Sequence, residues 1–342
     1  MAVPWRQAMA QALYGPGGFF TRADQPGGAG GHFRTSVHAS PLFATALLRL
    51  IVTADEALDQ PDPFDVVDIG AGAGHLLRRL SVLAPTYLRR RLRLSAVELA
   101  PRPHDLPEHI GWYQQAPPPR GITGVLLATE WLDNVPLEIA EIGPDGELHY
   151  VLVDQPTGVE TLGPILTDAD AAWAARWWSE PEWAPGVRIE LGPPRDEAWA
   201  ASVAALVAGL AITVDYGHMW YDRPLAGTLA GFLAGRDTTT IPDGSRDLTA
   251  HVAIDAVCAA GEAVAGQPAA LMTQRDALAA LGLDGARPPL SLAEQDPAGY
   301  VQALSLASQA AELMDLEGLG RHFWIVQPVG IPADVLPMGL RP

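Results

Sequence analysis

The sequence predicts an α/β protein: a doubly wound parallel sheet with helices on both faces, an N-terminal helical cover and an inserted α/β lobe. Three observations carry that expectation. The run Val66-Val67-Asp68-Ile69 has the character of a buried strand and breaks into Gly70-Ala71-Gly72-Ala73-Gly74, with glycine at every second position. The next residues, His75 to Leu80, read as a helix. Apolar strand runs then alternate with helical patterns through the remaining chain, which is the signature of a parallel sheet.

Each element has its own reason. Residues 1–14 read as a helix from Trp5, Met9, Ala12 and Leu13 at helical spacing, before the Gly15-Pro16-Gly17-Gly18 break and a glycine-rich loop at Gly27–Gly31. Ser40 to Ala57 reads as a helix, with Ser40 as N-cap and Pro41 in the first position. Strands are expected at Asp65–Ile69, Leu92–Leu99, Ile110–Gln114 and Gly124–Thr129, and a hairpin over 139–153 turns at Pro144-Asp145-Gly146. Asp168–Trp178 and Arg195–Ala208 read as helices. Leu210–Asp215, with β-branched Ile212, Thr213 and Val214, reads as the next strand. Residues 218–247 read as a long irregular segment. A helix over 251–260, a strand Ala269–Thr273, helices Gln274–Leu281 and Leu292–Leu316 and a strand His322–Gln327 close the chain. The expected organisation is a cover over 1–60, a core of 61–136 and 206–329, an inserted lobe over 137–205, and a covering loop, 218–250, within the core.

Composition narrows the class. A hydrophobic content of 48% in 342 residues supports a sizeable core. No run reaches the roughly 18 apolar residues of a membrane span. The start, Met1 to Arg6, lacks a charged-then-apolar signal pattern, which points to the cytoplasm. A net charge of −18 argues against a nucleic-acid surface. One cysteine, Cys258 in an alanine-rich helix, excludes an internal disulfide and a cysteine-built zinc site. Every positive side chain is arginine, and Arg89-Arg90-Arg91-Arg93 reads as a solvated helix end.

The glycine loop carries the chemistry. Gly70-x-Gly72-x-Gly74 departs from the dinucleotide spacing G-x-G-x-x-G, and no lysine makes it a phosphate loop. An acidic residue ahead of G-x-G-x-G resembles motif I of class I S-adenosylmethionine (SAM) methyltransferases, whose cofactor needs close backbone approach and no phosphate cradle. A tight strand–helix turn without a ligand is the alternative. In a parallel sheet, ligands lie at the carboxyl ends of the strands, so the residues there are the site candidates. Glu98 ends the second strand, where a carboxylate accepts both hydroxyls of a ribose. Glu130 ends the fourth and is followed by Trp131, and acid and aromatic groups both favour a sulfonium or a cationic acceptor. Asp133 and Asn134 serve the site or cap a helix. Asp215-Tyr216-Gly217 ends the fifth strand. His251 is either a general base or a packed histidine. His32, His38 and His75 show no metal-ligand spacing, and no metal site is expected.

Taken together, these motifs resemble the MidA-like SAM-dependent methyltransferases, the family of the mitochondrial complex I assembly methyltransferase and its bacterial relatives. The resemblance runs from about Tyr14 to Pro328. Tyr14-Gly15 with Gly31-His32-Phe33-Arg34-Thr35-Ser36 is similar to the family's Y-G and G-D-F-x-T-S segment. Asp68 to Gly74 resembles E-x-G-P-G-x-G, Val97-Glu98 the strand-two acid, and Thr129 to Pro136 the run N-E-x-x-D-A-x-P. Asp215-Tyr216-Gly217 matches D-Y-G, and Gly227-Thr228-Leu229 and Asp247 to Val252 match G-T-L and D-L-T-A-H-V. The resemblance implies a Rossmann-like class I methyltransferase sheet, SAM as cofactor with S-adenosylhomocysteine as product, and a protein arginine as acceptor. By carry-over, Asp68, Gly70, Gly72, Gly74, Glu98 and Glu130 hold SAM and Thr35 and Ser36 close over it. Glu130, Asp133, Asp215 and His251 are then the catalytic candidates. The chain departs from the family at His32, Ala71, Ala230, Gly235 and Ala253, and most of these fall on the acceptor side. A small-molecule acceptor, a non-catalytic assembly factor and a homodimer stay open at this point.

Overall fold

A computed structural model describes residues 2–22, 35–114, 121–178 and 184–342. The expected loop at Gly27–Gly31 and the motif residues Gly31–Arg34 lie outside the described residues.

The chain enters as a strand, β1 (Ala2–Pro4), and then the helix α1 (Trp5–Tyr14). The helix does not start at residue 1, because Ala2–Pro4 pair antiparallel with residues 152–154. The helices α2 (Ser36–Ala39) and α3 (Pro41–Ala57) follow. Ser40 caps α3 by accepting from Leu42 N at 3.1 Å, and Pro41 takes the position where a missing N–H costs nothing. Phe43, Leu47, Leu50 and Ile51 form one face of α3 and are fully buried in the main core.

The next stretch is β2 (Phe64–Ile69), α4 (His75–Leu83), α5 (Thr86–Arg89), β3 (Leu92–Val97), β4 (Ile110–Tyr113) and β5 (Ile122–Thr129). Then come β6 (Glu138–Ile142), β7 (Leu148–Asp154), β8 (Val159–Ile165), α6 (Asp168–Trp177), β9 (Arg188–Leu191) and α7 (Pro193–Val203). The chain returns through β10 (Leu206–Asp215), β11 (Gly217–His218), β12 (Ala230–Leu233), β13 (Arg236–Thr238), β14 (Asp247–Thr249) and β15 (Val252–Ala253). It ends with α8 (Ile254–Ala265), β16 (Ala270–Thr273), α9 (Gln274–Ala280), α10 (Leu290–Gln295), α11 (Pro297–Leu313) and β17 (Phe323–Val329).

Seven strands form the main sheet in the order β16-β17-β10-β5-β2-β3-β4. β2, β3, β4, β5 and β10 run parallel, whereas β17 runs antiparallel to both of its neighbours. The expectation of a wholly parallel sheet is corrected by this one strand. The α9–α11 connection leaves β16 and re-enters β17 at the same edge of the sheet, so it does not cross over. Alternate residues feed two cores: Val125 and Leu127 of β5 face α3 and α4, while Leu126 and Ala128 face α7 and α8. The chain steps from β2 outward to β4 and then back to β5 on the other side of β2. That reversal makes the carboxyl end of β2 a switch point, where a crevice opens.

A second sheet joins β1, β6, β7, β8 and β9, with β8 at one edge of β7. β8 and β9 were not anticipated. β8 is a largely exposed strand containing Pro164, without the alternation that marks a half-buried strand. Other boundaries also move. The helix expected over 195–208 spans Pro193–Val203, because Leu206 already pairs with Ile122 in the main sheet. The helix expected from 251 starts at Ile254, since Val252–Ala253 pair with Gly217–His218. The helix expected over 292–316 is two helices, and Asp296 caps the second by accepting from Gly299 N. The irregular stretch 218–247 contains the antiparallel pairing of β12 with β13 and β14. The arginine run is a largely exposed helix end whose side chains also bond to the protein. Arg91 holds the buried Asp55 with two bonds of 2.8 Å, Arg93 pairs with Asp65, and Arg89 donates to the carbonyls of Val82 and Ala84.

Candidate active site

The glycine loop follows β2 directly. Gly70, Gly72 and Gly74 have φ of 67°, 55° and 74°, a region that a side chain disfavours. Sterics add to this at Gly70, where a Cβ would stand 2.8 Å from Trp131 Cδ1. Gly70 N donates to Val97 O at 2.9 Å, which ties the loop to the end of β3. At that end Glu98 accepts from Gly72 N at 2.9 Å through Oε2 and from Ala100 N at 3.0 Å through Oε1. Burial raises its carboxyl pKa, and the backbone amides of Ala100, Gly72 and Leu99 oppose the rise.

A cavity of about 320 Å³ opens over this loop. It falls within the ~300–1,000 Å³ range of small-molecule sites. Gly70, Gly72, Glu98 and Glu130 line it together with Tyr14, Phe20 and Trp131. Tyr14 and Phe20 stack at 5.7 Å, and Tyr14 Oη donates to Asn134 O at 3.2 Å. A smaller cavity of about 60 Å³ lies on the other side of the loop, lined by Thr35, His38, Asp68, His75 and Glu130 among others. Gly70, Gly72 and Glu130 belong to both.

Glu130 stands at that junction. Its backbone is left-handed, with φ 49°, unusual for a glutamate. Ser36 N donates to its Oε1 at 2.9 Å, so the segment after residue 34 is tied to the end of β5. Burial pushes its carboxyl up to about 8, with Ser36 N opposing and Asp133 adding to the rise. Asp68 is buried as well and also pushed up to about 8, first by desolvation and then by Glu98.

Three of the sequence candidates sit elsewhere. Asp215 Oδ2 accepts from Trp131 N, Leu132 N and Asp133 N at 2.9–3.3 Å, and so holds the turn after β5. Asp133 is buried and bonded to Tyr216 Oη and, at 2.6 Å, to Thr249 Oγ1. His251 packs its ring edge-on against Tyr216 at 5.3 Å, and its backbone joins Thr228 and Arg195. None of the three lines either cavity. The structure therefore brings Thr35, Asp68, Gly70, Gly72, Glu98 and Glu130 to the cavity walls. Gly74 follows as the N-cap residue of α4, and Ser36 acts through its backbone.

Two buried residues that sequence reasoning passed over organise this region. Arg195 has no carboxylate partner among its bonds. It donates to the carbonyls of Asp133, Val135, Ala250 and His251 at 2.6–3.2 Å, which locks the turn after β5 to the chain after β14. Glu190 accepts from Thr228 Oγ1 at 2.7 Å and from Leu229 N at 2.7 Å, and so fixes the Gly227-Thr228-Leu229 turn. Charged residues at apolar helical or strand spacing were the only signal for either.

A switch-point crevice with a glycine loop and an acid ending the neighbouring strand is where a nucleotide-type ligand lies in such a sheet, and it resembles the cofactor site of SAM-dependent methyltransferases. A family model described as "putative S-adenosyl-L-methionine-dependent methyltransferase" matches residues 46–272, more than half of the chain. This protein belongs to that family, and its methyl donor is SAM. Among solved structures, it is similar over 99% of its length to a Burkholderia thailandensis protein described as a "likely methyl transferase" and bound to S-adenosyl-homocysteine. The TM-score is 0.76 at 24% identity, with 92% of that chain covered. An unliganded structure from the same organism aligns with a TM-score of 0.75 at 24% identity, over 99% of this chain and 91% of that one. Both show the class I methyltransferase-like fold. No curated protein matches the chain. Among the described residues, no helix is long and apolar enough to cross a membrane.

Proposed function

We propose that this enzyme is a MidA-like N-methyltransferase whose acceptor is a protein arginine guanidinium. The observation that supports this reading is the position of Glu130, a half-buried carboxylate at the junction of the two cavities, next to Trp131. A carboxylate beside aromatic faces suits a planar cation. A hydroxyl acceptor would call on His251 as base, and His251 lies off the cavity walls.

The residues present fit SAM. Gly70 and Gly72 give the backbone approach that its methionine chain and ribose need, and Glu98 stands where ribose hydroxyls are accepted. Tyr14, Phe20 and Trp131 add apolar wall, while Thr35 and Ser36 close the far side. When bound, SAM supplies an electrophilic methyl group on a sulfonium. In its ionised form Glu130 would accept an N–H of the acceptor, orient that nitrogen toward the methyl group, and take up the proton that the nitrogen loses on methylation. A carboxyl pushed up to about 8 is mostly protonated at neutral pH, so this role requires that the cationic donor and acceptor draw Glu130 to its ionised form. Alignment of this kind is worth several kcal/mol of barrier, about 7–11 in well-oriented systems. Asp133 and Asp215 support the turn that carries Glu130.

The test compares Glu130→Gln with His251→Ala, using labelled SAM, arginine-rich peptides and host protein extract. Glu130→Gln should lower kcat about 100-fold, in the range of general acid–base effects. His251→Ala should change it less than about threefold, and methylarginine should appear in hydrolysates. Loss of turnover in the histidine variant alone would replace this reading with an oxygen acceptor.

A further inference from the structure

We propose that the groove between α1, the second sheet, α6 and the start of α7 is a docking site for a basic segment of the polypeptide acceptor, and that Glu138, Asp170 and Glu197 receive a second arginine close in sequence to the methylated one. The proposal rests on the arginine-acceptor reading and extends it to a surface that no motif assigns.

The groove is roomy and its walls are fixed. It encloses about 600 Å³, against about 320 Å³ for the larger cavity over the glycine loop. Tyr150 and Leu152 alternate along β7 with the buried core residues Val151 and Val153, and so form its floor. Trp173 of α6 stands at one side. Its Nε1 donates to Asp196 Oδ2 at 2.7 Å, and its ring covers Gly192, where a Cβ would stand 2.6 Å from Cζ2. Tyr150 Oη donates to Asp170 Oδ2, and Thr167 Oγ1 donates to the same oxygen at 3.1 Å. Pro193 and Pro194 open α7 and stiffen the backbone next to Gly192. Both aromatic rings are therefore held before a ligand arrives, which lowers the ordering cost of binding.

Charge selects the ligand. Glu138, Asp170 and Glu197 line the groove against one cation, Arg6, whose backbone N–H donates to Glu138 Oε2 at 3.1 Å. Burial raises the Glu138 carboxyl, Arg6 opposes the rise, and Asp170 adds to it, so a further cation is favoured there. A guanidinium meets acids through its N–H fork and aromatic rings through its face, and this groove offers both. An anion would face three carboxylates, and an uncharged chain would leave them without a counter-charge. Position points to a polypeptide. Pro136 and Ala198 line the larger cavity, while Glu138, two residues on, and Glu197, one residue before, line the groove. Successive Cα atoms are about 3.8 Å apart, so the two spaces are neighbours. An extended chain advances about 3.3 Å per residue. An acceptor whose target arginine enters the larger cavity thus carries the residues two to four positions away over the groove.

The test uses fluorescein-labelled peptides in a glycine–alanine background, one with two arginines three positions apart and one with a single arginine. Anisotropy on the full chain, with S-adenosylhomocysteine present, should show the two-arginine peptide binding about tenfold more tightly, the scale of one charge-assisted hydrogen bond. In E138Q/E197Q that ratio should fall to within about threefold, with the single-arginine peptide and SAM bound as before. Glu197→Gln alone, at an exposed position, keeps the measurement available should the double variant fail to fold, and should narrow the ratio part of the way. E294Q/E317Q removes the same charge outside the groove and should leave the ratio unchanged. Equal binding of the two peptides, an unchanged ratio in folded groove variants, or the same narrowing in E294Q/E317Q overturns the proposal. Spermine that displaces the two-arginine peptide at equal concentration also overturns it, in favour of a small polycation. A groove-dependent preference in a protein that methylates neither peptide would keep the docking site and overturn arginine as the methylated residue.

Discussion

Two sets of carboxylates sit at the carboxyl edge of the same sheet, and they have opposite fates. Asp68, Glu98 and Glu130 line cavities, and the described bonds of Glu98 and Glu130 are to backbone amides. Asp133 and Asp215 stand one turn away and are taken up by Tyr216, Thr249 and three successive amides. Strand-end position therefore identifies candidates without separating ligand-facing acids from those that build the wall behind them. What separates them is where their hydrogen bonds go. Both Asp215 oxygens are occupied by backbone amides, whereas Asp133 is held through Oδ2 alone and its buried Oδ1 has no partner among the described residues.

The sharpest way to break this comparison is to remove the cation behind the wall. Arg195→Met leaves four carbonyls, two of them buried, without their donor and takes positive charge away from Asp133, Glu190 and Asp215. The cost should be about 3–5 kcal/mol, as for other broken buried charge networks. Thermal or urea unfolding would show it. An Arg195→Met protein of unchanged stability would mean that the wall does not depend on this network.

The same contrast predicts different signatures for two conservative changes. Asp215→Asn replaces an acceptor-only carboxylate facing three amides, and should cost about 1–3 kcal/mol of stability. Its folded fraction should bind SAM normally. Glu98→Gln should also cost about 1 kcal/mol of stability, since its carboxylate accepts from Gly72 N and Ala100 N, but should in addition weaken SAM about tenfold, the cost of a lost charged hydrogen bond. If both variants lose stability and neither loses affinity, the division between wall and ligand-facing acids is mistaken.

Much of the cavity-lining half was legible in the sequence because its constraints are local. Alternating glycines, a strand that stops at Asp68 and an acid after Val97 all announce themselves within a few residues. Thr35 and Ser36 became visible only through the family resemblance. The wall was illegible for the converse reason. Arg195 meets Asp133 from 62 positions away and Ala250 from 55, and its one local mark is a charge at the apolar spacing of its helix. Asp133, Asp215 and His251 looked like site residues because their neighbours are acidic, aromatic and small. Only the fold shows that Asp133 and Asp215 bond to groups away from the cavities. β8 was missed because an exposed edge strand carries no burial pattern.

A smaller steric effect tests how closely the loop is packed. Gly70→Ala places a methyl group against Trp131 Cδ1 at 2.8 Å in a left-handed backbone. Trp131 lines the larger cavity, so a shift of its indole reaches the ligand. SAM affinity should fall about three- to tenfold, and strain should cost about 1–2 kcal/mol of stability. Gly121→Ala also has a positive φ, with nothing within 4 Å of the added methyl, and should show a stability cost without the affinity loss. Equal affinity loss in both variants would argue against the contact with Trp131.

The mildest expected effect is a proton count. Asp68 and Glu130 have folded pKa values of about 8, against about 4 for an unfolded carboxyl. A raised acid pKa favours the fold while the group is protonated. That contribution is complete below about pH 4 and is lost as pH rises through 8. The unliganded protein should therefore lose stability between about pH 5 and pH 9. A cation in the cavities reverses the shift, because it favours the ionised carboxylates. SAM carries a sulfonium and an ammonium, whereas S-adenosylhomocysteine keeps only the ammonium. At pH 7 SAM binding should release protons, up to about one per carboxyl, and should release more than S-adenosylhomocysteine does. Titrations in two buffers of different ionisation enthalpy measure the number directly. Asp68→Asn should remove part of the release, while Asp215→Asn, behind the wall, should leave it unchanged. Proton release that tracks Asp215 instead would place the ligand's charge against the wrong set of acids.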